Sequence, residues 1–315
     1  MADPASLAVQ AVDAIHGVYG SHSGHRAVHS KGTLLRGTFT PTAEAAELSS
    51  APFLAAETPV VARVSNGGGN PEAADFEQDG RGLAVKFSLP DGSTTDMVTT
   101  SLPAFIARTP EDFVELTRAR KPDPETGYPD GAVVGAYMEA HPEAMTVIQH
   151  LIASKPPESY ATVRFVNPHT FLWNDRKVRW RWEPEDGERS LEPEAAAERG
   201  ADYLQEEILE RAAGGGAAWR LVVVLGEEED STSDPTEVWP EERETVDAGR
   251  LVLTGPETER ETGDDVLVFD PTRVCDGIEL SDDPILSFRH DAYAESVQLR
   301  SGIQVDWSVT RPQAD

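Results

Sequence analysis

The chain contains a single cysteine, Cys275, among its 315 residues. One thiol excludes an intrachain disulfide, and it excludes a zinc or iron–sulfur site built from several cysteines. Long apolar runs are also missing, because the longest, such as residues 221–225, are far too short to span a bilayer. The first residues show no basic stretch followed by an apolar run, so we expect no signal peptide and a soluble, cytoplasmic protein.

Basic residues are scarce. The chain has 27 Lys plus Arg against 56 Asp plus Glu, which gives a formal net charge of -29, and very few of the basic residues are Lys. Nucleic acid and anionic lipid would repel such a chain, so we expect neither nucleic acid nor a membrane as a partner. An acidic, lysine-poor surface suits high salt, where charge repulsion is screened. A bias in base composition explains the same numbers equally well, so the sequence leaves both explanations open.

Short apolar segments rich in Val, Leu, Thr and Phe alternate with stretches that contain Gly and Pro, a pattern typical of strands joined by turns. Strands are predicted at residues 33–40, 59–66, 81–89, 160–172, 177–183, 218–225 and 250–253. Helices are predicted at residues 5–20, after Thr109, at residues 192–213 and after Asp283. The segments 66–82 and 226–245 are predicted as polar loops.

No internal repeat and no low-complexity linker divides the sequence. We therefore predict one α+β domain over residues 1–315, with a core from about residue 20 to residue 302. A helical N-terminal arm precedes this core, and a short tail follows it. The number of short strands favours a β-barrel or a strongly curved sheet with helices outside it.

The last predicted helix carries polar side chains where a buried stripe would carry Leu and Val. Ile285, Arg289, Tyr293, Ser296 and Arg300 follow one another at intervals of four, four, three and four, so they share one face. An Arg one turn before a Tyr can lie against the phenol oxygen and favour the phenolate, which is a hard ligand suited to ferric iron. The alternative is that Arg289 and Tyr293 only stack on a half-exposed helix.

His29 lies between Val28 and Ser30, just before a predicted strand. A neutral imidazole beside a small hydroxyl can take a proton from a peroxide and return it to the departing oxygen. The alternative is a structural histidine. The spacing of His22, His25 and His29 also resembles a zinc site, but the surrounding glycines and serines indicate a loop without supporting ligands.

Arg63 and Arg81 lie in or at the start of apolar strands. A buried guanidinium requires an anionic partner. The carboxylates of a cofactor or a phosphate would serve, and so would Asp or Glu from this acidic chain.

Together these segments resemble the catalase family, and specifically its short members, the catalase-related haem peroxidases. The similar segments keep the family's order and cover nearly the whole chain; they are residues 28–39, 63–65, 79–87, 103–113, 234–240, 269–286 and 289–300. The resemblance implies a catalase-like antiparallel β-barrel with flanking helices and a bound haem, expected to be haem b.

The resemblance also implies a role for individual residues. Tyr293 matches the proximal iron ligand, and Arg289 matches the cation that keeps this ligand a phenolate. His29 matches the distal acid–base group, Ser65 a nearby hydroxyl, and Phe113 the ring that lies against the haem on the distal side. The arginines that match haem carboxylate contacts or positions beside the proximal ligand are Arg63, Arg81 and Arg300.

One departure concerns the distal side. Full-length catalases carry Asn where this chain has Thr100, and that Asn helps to orient a second peroxide molecule. The expected activity is therefore a haem-dependent peroxidase that reduces hydrogen peroxide or organic hydroperoxides with an organic electron donor, with weak or no catalase activity. The alternatives are a haem isomerase or dehydratase of fatty-acid hydroperoxides, a non-catalytic haem-binding protein, and an acidic structural protein. The sequence leaves open whether the chain forms a homo-oligomer.

Overall fold

The computed structural model describes residues 6–262 and 266–302. In these ranges the strands are β1 Gly32–Pro41, β2 Thr58–Asn66, β3 Arg81–Ser88, β4 Thr94–Thr100, β5 Phe165–Val166, β6 Phe171–Trp173, β7 Arg176–Pro184, β8 Ala217–Leu225, β9 Thr245–Pro256 and β10 Ile278–Leu280. The helices are α1 Leu7–Tyr19, α2 Pro110–Ala119, α3 Gly131–Ala140, α4 Met145–Ala153, α5 Pro193–Glu198, α6 Tyr203–Ala213 and α7 Pro284–Ser301.

All strand pairings in the sheet are antiparallel, and the sheet order is β10-β6-β7-β5-β4-β3-β2-β1-β9-β8. Strand β7 also pairs with β8, so the strands from β7 to β8 close into an eight-stranded barrel, with β6 and β10 extending it at one side. Closure leaves these eight strands without a free edge. The predicted antiparallel β-barrel with flanking helices is confirmed.

The interior of the barrel is filled by large apolar side chains. Phe39 packs edge-on against Phe53, Phe87 and Trp182, with ring centroids 6.0, 5.4 and 6.1 Å apart. All four rings are fully buried. Because these large rings fill the interior, we expect the polar residues that carry chemistry at the barrel's end or outside it.

Antiparallel register brings one end of four neighbouring strands together. Ser65 near the end of β2 lies opposite Gly32 at the start of β1 and Gly82 at the start of β3. Gly82 in turn lies opposite Thr100 at the end of β4. The predicted strands over 33–40, 59–66 and 81–89 are therefore confirmed, and their order gathers His29, Ser65 and Thr100 at one end of the barrel.

Helices α1, α2 and α7 pack against one another outside the barrel. Side-chain oxygens cap their N-termini: Thr109 Oγ1 accepts a hydrogen bond from the Asp112 amide at 3.2 Å, and Asp283 Oδ1 accepts one from the Ile285 amide at 2.8 Å. The predicted helix starts at these two residues are confirmed, as is the N-terminal helix. In the described ranges, no helix combines the length and apolarity needed to cross a bilayer.

Three predicted boundaries were wrong. Residues 160–172 form a 3₁₀ turn and two short strands rather than one strand, because Ser159 and Thr162 cap that turn reciprocally. The helix predicted at 192–213 is broken into α5 and α6 at Gly200, whose φ of 102° is left-handed. Strand β9 begins before the predicted residue 250 and extends beyond residue 253.

Candidate active site

The imidazole of His29 lies against the hydroxyl of Ser65, with 3.0 Å between Nδ1 and Oγ. The hydroxyl beside the imidazole is therefore that of Ser65 and not of the adjacent Ser30, whose Oγ instead donates to the carbonyl of Arg26 at 2.6 Å. Gly82 makes this arrangement possible, because a Cβ there would stand 2.9 Å from the imidazole and 3.0 Å from Ser65 Oγ. The site thus needs glycine at a position that sequence reasoning did not single out.

The backbone of a glycine triplet, Gly67 to Gly69, fixes the His29 segment. The His29 amide donates to the Gly67 carbonyl at 3.1 Å, and the next amide donates to Gly68 at 3.1 Å. His29 itself is left-handed, with φ 54°, which this pairing stabilises. A Cβ on Gly69 would lie 2.2 Å from the carbonyl oxygen of Ala27, so the two segments approach more closely than any other residue would allow.

His29 is neutral over the ordinary pH range. Burial, together with the positive charges of Arg63, Arg289 and Arg26, lowers the pKa of its imidazole to about 3. An uncharged imidazole can accept a proton from a bound ligand.

Thr100 and Phe113 lie near the His29 segment, on what the resemblance makes the distal side of the haem. Thr100 lies across from Gly82 in the sheet, and its Oγ1 accepts a hydrogen bond from the Leu102 amide at 3.2 Å. The ring of Phe113 lies 5.8 Å from that of Phe105 and packs with the cluster around Ala27. Both residues are therefore near the His29 segment, and their predicted contact with a haem stays a prediction.

On α7, the guanidinium of Arg289 donates twice to the phenol oxygen of Tyr293. The Nε and Nη2 atoms lie 3.1 and 2.5 Å from that oxygen. The predicted contact one helical turn apart is confirmed. The guanidinium carbon of Arg289 also lies 5.4 Å from the centroid of the Tyr293 ring, so stacking accompanies the hydrogen bonds. The Tyr293 oxygen therefore accepts two charge-assisted hydrogen bonds, and its role as an iron ligand stays a prediction.

Two further residues hold Arg289, and sequence reasoning missed both roles. Arg289 Nη1 lies 2.8 Å from His169 Nε2, and His169 Nδ1 lies 2.6 Å from Asp283 Oδ2. Arginine only donates, so His169 Nε2 must accept, and His169 Nδ1–H then donates a hydrogen bond to the Asp283 carboxylate. Burial lowers the pKa of His169, although the Asp283 carboxylate acts to raise it. The net lowering favours the neutral imidazole. Asp283 was identified only as a helix cap.

A cluster of three arginines surrounds one carboxylate beside the His29 segment. Glu261 Oε1 lies 2.9 Å from Arg26 Nε and 3.4 Å from Arg63 Nε, and its Oε2 lies 3.3 Å from Arg300 Nε. Burial, together with the charge of Arg26, lowers the pKa of Arg63 and of Arg300 to about 10. The structure thus brings together the predicted Arg63 and Arg300, and it adds Arg26, which lies only three residues before His29.

Arg81 has a different environment. Its guanidinium donates to the carbonyl groups of Gly80, Asp75 and Glu77, at 3.1, 2.8 and 3.1 Å, and lies 3.8 Å from the carboxylate of Asp79. All of these partners of the Arg81 guanidinium belong to the loop before β3, and none of them belongs to the arginine cluster. The structure therefore groups Arg81 with loop residues, and a contact with cofactor carboxylates remains a prediction from the resemblance.

The donor set fits a haem. Arg26, Arg63 and Arg300 carry two more positive charges than Glu261 neutralises, so the cluster could bind the carboxylates of a haem. The buried Nε of Arg63 makes no hydrogen bond among the described residues and faces Glu261 only as an ion pair at 3.4 Å, so a ligand carboxylate with a better approach could bind it. On α7, the phenol oxygen of Tyr293 accepts two hydrogen bonds from Arg289, an arrangement that suits an oxygen ligand of iron.

Comparison with known proteins agrees with this chemistry. The sequence profile of the catalase family matches residues 9–312. A catalase-related peroxidase of Mycolicibacterium paratuberculosis is 41% identical over 301 residues, covering 93% of this chain and 95% of that protein. A catalase-related peroxidase of Synechococcus elongatus is 36% identical over 298 residues, covering 93% of this chain and 88% of that protein.

A fungal catalase of known structure has the same fold. Its TM-score is 0.80 at 24% identity, and the match covers 92% of this chain and 62% of the fungal chain. The chain therefore spans about three fifths of that catalase's length. The profile match over nearly all residues and the identity to short relatives show that the chain belongs to the catalase family, whose members are haem enzymes.

Proposed function

We propose that this protein is a haem-dependent peroxidase that reduces hydrogen peroxide or organic hydroperoxides with an organic electron donor. The observation that carries the proposal is the double hydrogen bond from Arg289 to the Tyr293 oxygen, held in place by neutral His169. The names of the relatives favour a peroxidase over an isomerase or dehydratase.

Haem b would be held by Tyr293 at the iron and by the arginine cluster at its carboxylates. When bound, it supplies redox-active iron that accepts oxidising equivalents from a peroxide and passes them to the donor. Arg289 directs two N–H groups at the Tyr293 oxygen, which would stabilise that oxygen as the iron ligand. Phe113 supplies apolar surface on the distal side.

His29 moves the proton. In the tautomer in which Nδ1 donates to Ser65 Oγ, Nε2 can accept a proton from the peroxide's inner oxygen and return it to the outer oxygen as that oxygen departs. The lowered pKa of the imidazole favours the return of the proton, because the protonated form gives it up readily. Ser65 orients the ring.

Thr100 is the reason to expect weak or no catalase activity. The Thr side chain is shorter than that of Asn, and its hydroxyl already accepts a hydrogen bond from the Leu102 amide. It therefore orients a second peroxide molecule less well. The cytoplasmic location, the single domain and any homo-oligomer stay predictions from the sequence.

The test is peroxide turnover by the purified full chain loaded with haem. We expect hydrogen peroxide and cumene hydroperoxide to be consumed rapidly only when a phenolic donor is present. Equally fast oxygen release from hydrogen peroxide without a donor would instead identify a catalase. Consumption of a fatty-acid hydroperoxide without a donor would identify an isomerase or dehydratase, and a protein that binds no haem would overturn the proposal.

A further inference from the structure

Glu261 follows β9 and places its carboxylate among three guanidinium groups, at 2.9 Å from Arg26, 3.4 Å from Arg63 and 3.3 Å from Arg300. Its side chain is 19% exposed. Burial by itself raises the pKa of this carboxyl, but the three positive charges hold it below the ordinary value. Glu261 is therefore an anion at the place where the proposed function needs arginines for the haem carboxylates.

Glu261 occupies the Nε side of two guanidinium groups in this cluster. The terminal nitrogens of Arg63 each donate one hydrogen bond, to the carbonyl groups of His29 and Ser30 at 2.7 and 3.1 Å, and its Nε faces Glu261 at 3.4 Å. Arg26 donates its Nε–H to Glu261 Oε1 and an N–H of Nη2 to the Leu267 carbonyl. An incoming carboxylate that approaches either Nε therefore meets an N–H group that Glu261 already faces.

Apart from the hydrogen bond from Arg26 Nε, the contacts of the Glu261 carboxylate are strong in charge but poor in geometry. Its Oε2 and Arg63 Nε are both buried and have no hydrogen-bond partner among the described residues. Arg300 Nε donates to the backbone carbonyl of Glu261 at 3.0 Å rather than to its carboxylate. A ligand carboxylate with a better approach can replace such an ion pair.

Resting on the proposed function, we propose that Glu261 is an internal competitor of the haem carboxylates. It neutralises part of the arginine cluster in the haem-free protein, which stabilises that form. It also slows and weakens haem binding, because its own ion pairs must be exchanged for those of the haem.

The experiment mixes haemin with the haem-free full chain and follows Soret absorbance in a stopped-flow instrument. Glu261→Gln removes the charge at nearly constant volume. Glu257→Gln is the matched control. Glu257 lies four residues earlier, and its carboxylate accepts a hydrogen bond from the neighbouring Thr258 amide. We expect Glu261→Gln to raise the association rate at least about tenfold and to lower the haem-free Tm by several degrees, with Glu257→Gln like the parent.

Haemin dimethyl ester, which lacks free carboxylates, is the second probe. The rate gain of Glu261→Gln should fall to less than about twofold with the ester. If Glu261→Gln does not fold, Glu261→Asp decides, because it keeps the charge but withdraws it from the arginines, and its rate should lie above that of the parent.

Equal or slower haemin binding by the Glu261 variants overturns the inference and leaves the peroxidase proposal intact. An equal gain with the ester also overturns it, because the effect would then not involve carboxylates. If no variant and no parent protein binds haemin, the proposed function itself fails.

Discussion

The two sides of the site are held in different ways. On the distal side, backbone amides and the glycine triplet Gly67–Gly69 fix His29, and its imidazole is kept uncharged by burial. On the proximal side, a chain of side chains from Asp283 through His169 and Arg289 fixes the Tyr293 oxygen. The proposed proton carrier, His29, must change charge, and its surroundings supply shape. The proposed iron ligand, Tyr293, is stabilised by a nearby cation, and its surroundings supply one in Arg289.

The largest effect is expected on the distal side. His29→Gln keeps a polar side chain but removes the proton carrier, so peroxide turnover should fall about 10²–10⁴-fold. Haem content should stay unchanged, because the arginine cluster and Tyr293 are untouched. Steady-state turnover with haem quantified in the same samples checks this. A loss of less than about tenfold would show that another group moves the proton.

Gly82→Ala tests whether shape alone governs the distal side. The added methyl group would push against the imidazole of His29 and the hydroxyl of Ser65, so turnover should fall about 10²-fold through misplacement. Gly135→Ala is the control, since a Cβ there meets open space. Unchanged turnover in Gly82→Ala, at normal stability and haem content, would contradict the geometric account of His29.

Asp283→Asn tests the hydrogen-bonded chain from Asp283 through His169 to Arg289. The amide oxygen can still cap α7, but the amide group facing His169 donates where the carboxylate accepted. His169 then no longer presents Nε2 as an acceptor to Arg289, and turnover should fall about 10–100-fold. The measurement is turnover together with the visible spectrum of the ferric protein. An unaltered spectrum and rate would mean that Arg289 needs no support from this chain.

A smaller effect concerns stability against acid. The pKa of His29 is about 3 in the fold and about 6.5 when unfolded, so the unfolded chain takes up the proton first as the pH falls. The lowered pKa therefore leaves stability intact above pH 6.5 and reduces it below, by about 3 kcal/mol at pH 4.5. Haem-free His29→Gln should lose less Tm than the parent between pH 7.5 and 4.5. Equal losses would indicate that His29 does not titrate in this way.

The fold was more predictable than the partners inside the site. Strand-forming runs and the helix starts at Thr109 and Asp283 are local signals, and the structure confirms them. The helices α3 and α4 were missed, and α3 lacks a clear polar face. The break at Gly200 was missed because the flanking Ala/Glu-rich stretches both favour helix.

Within the site, local spacing found one pair and missed the distant contacts. Arg289 and Tyr293 are one turn apart, so their contact follows from helix geometry. His169 contacts Arg289 across 120 residues of sequence, and Glu261 reaches Arg26 across 235. No periodicity encodes such contacts; they depend on how the barrel closes.

The most direct test of the account is the haem-loaded full chain against its Tyr293→Phe variant, compared by visible spectrum and by peroxide turnover per haem. Phenylalanine preserves the ring and removes only the oxygen that Arg289 polarises. We predict that the variant loses the spectrum of a phenolate-ligated ferric haem and loses turnover. An unchanged spectrum with normal haem content and turnover would show that the iron is not held by Tyr293 and would contradict the account.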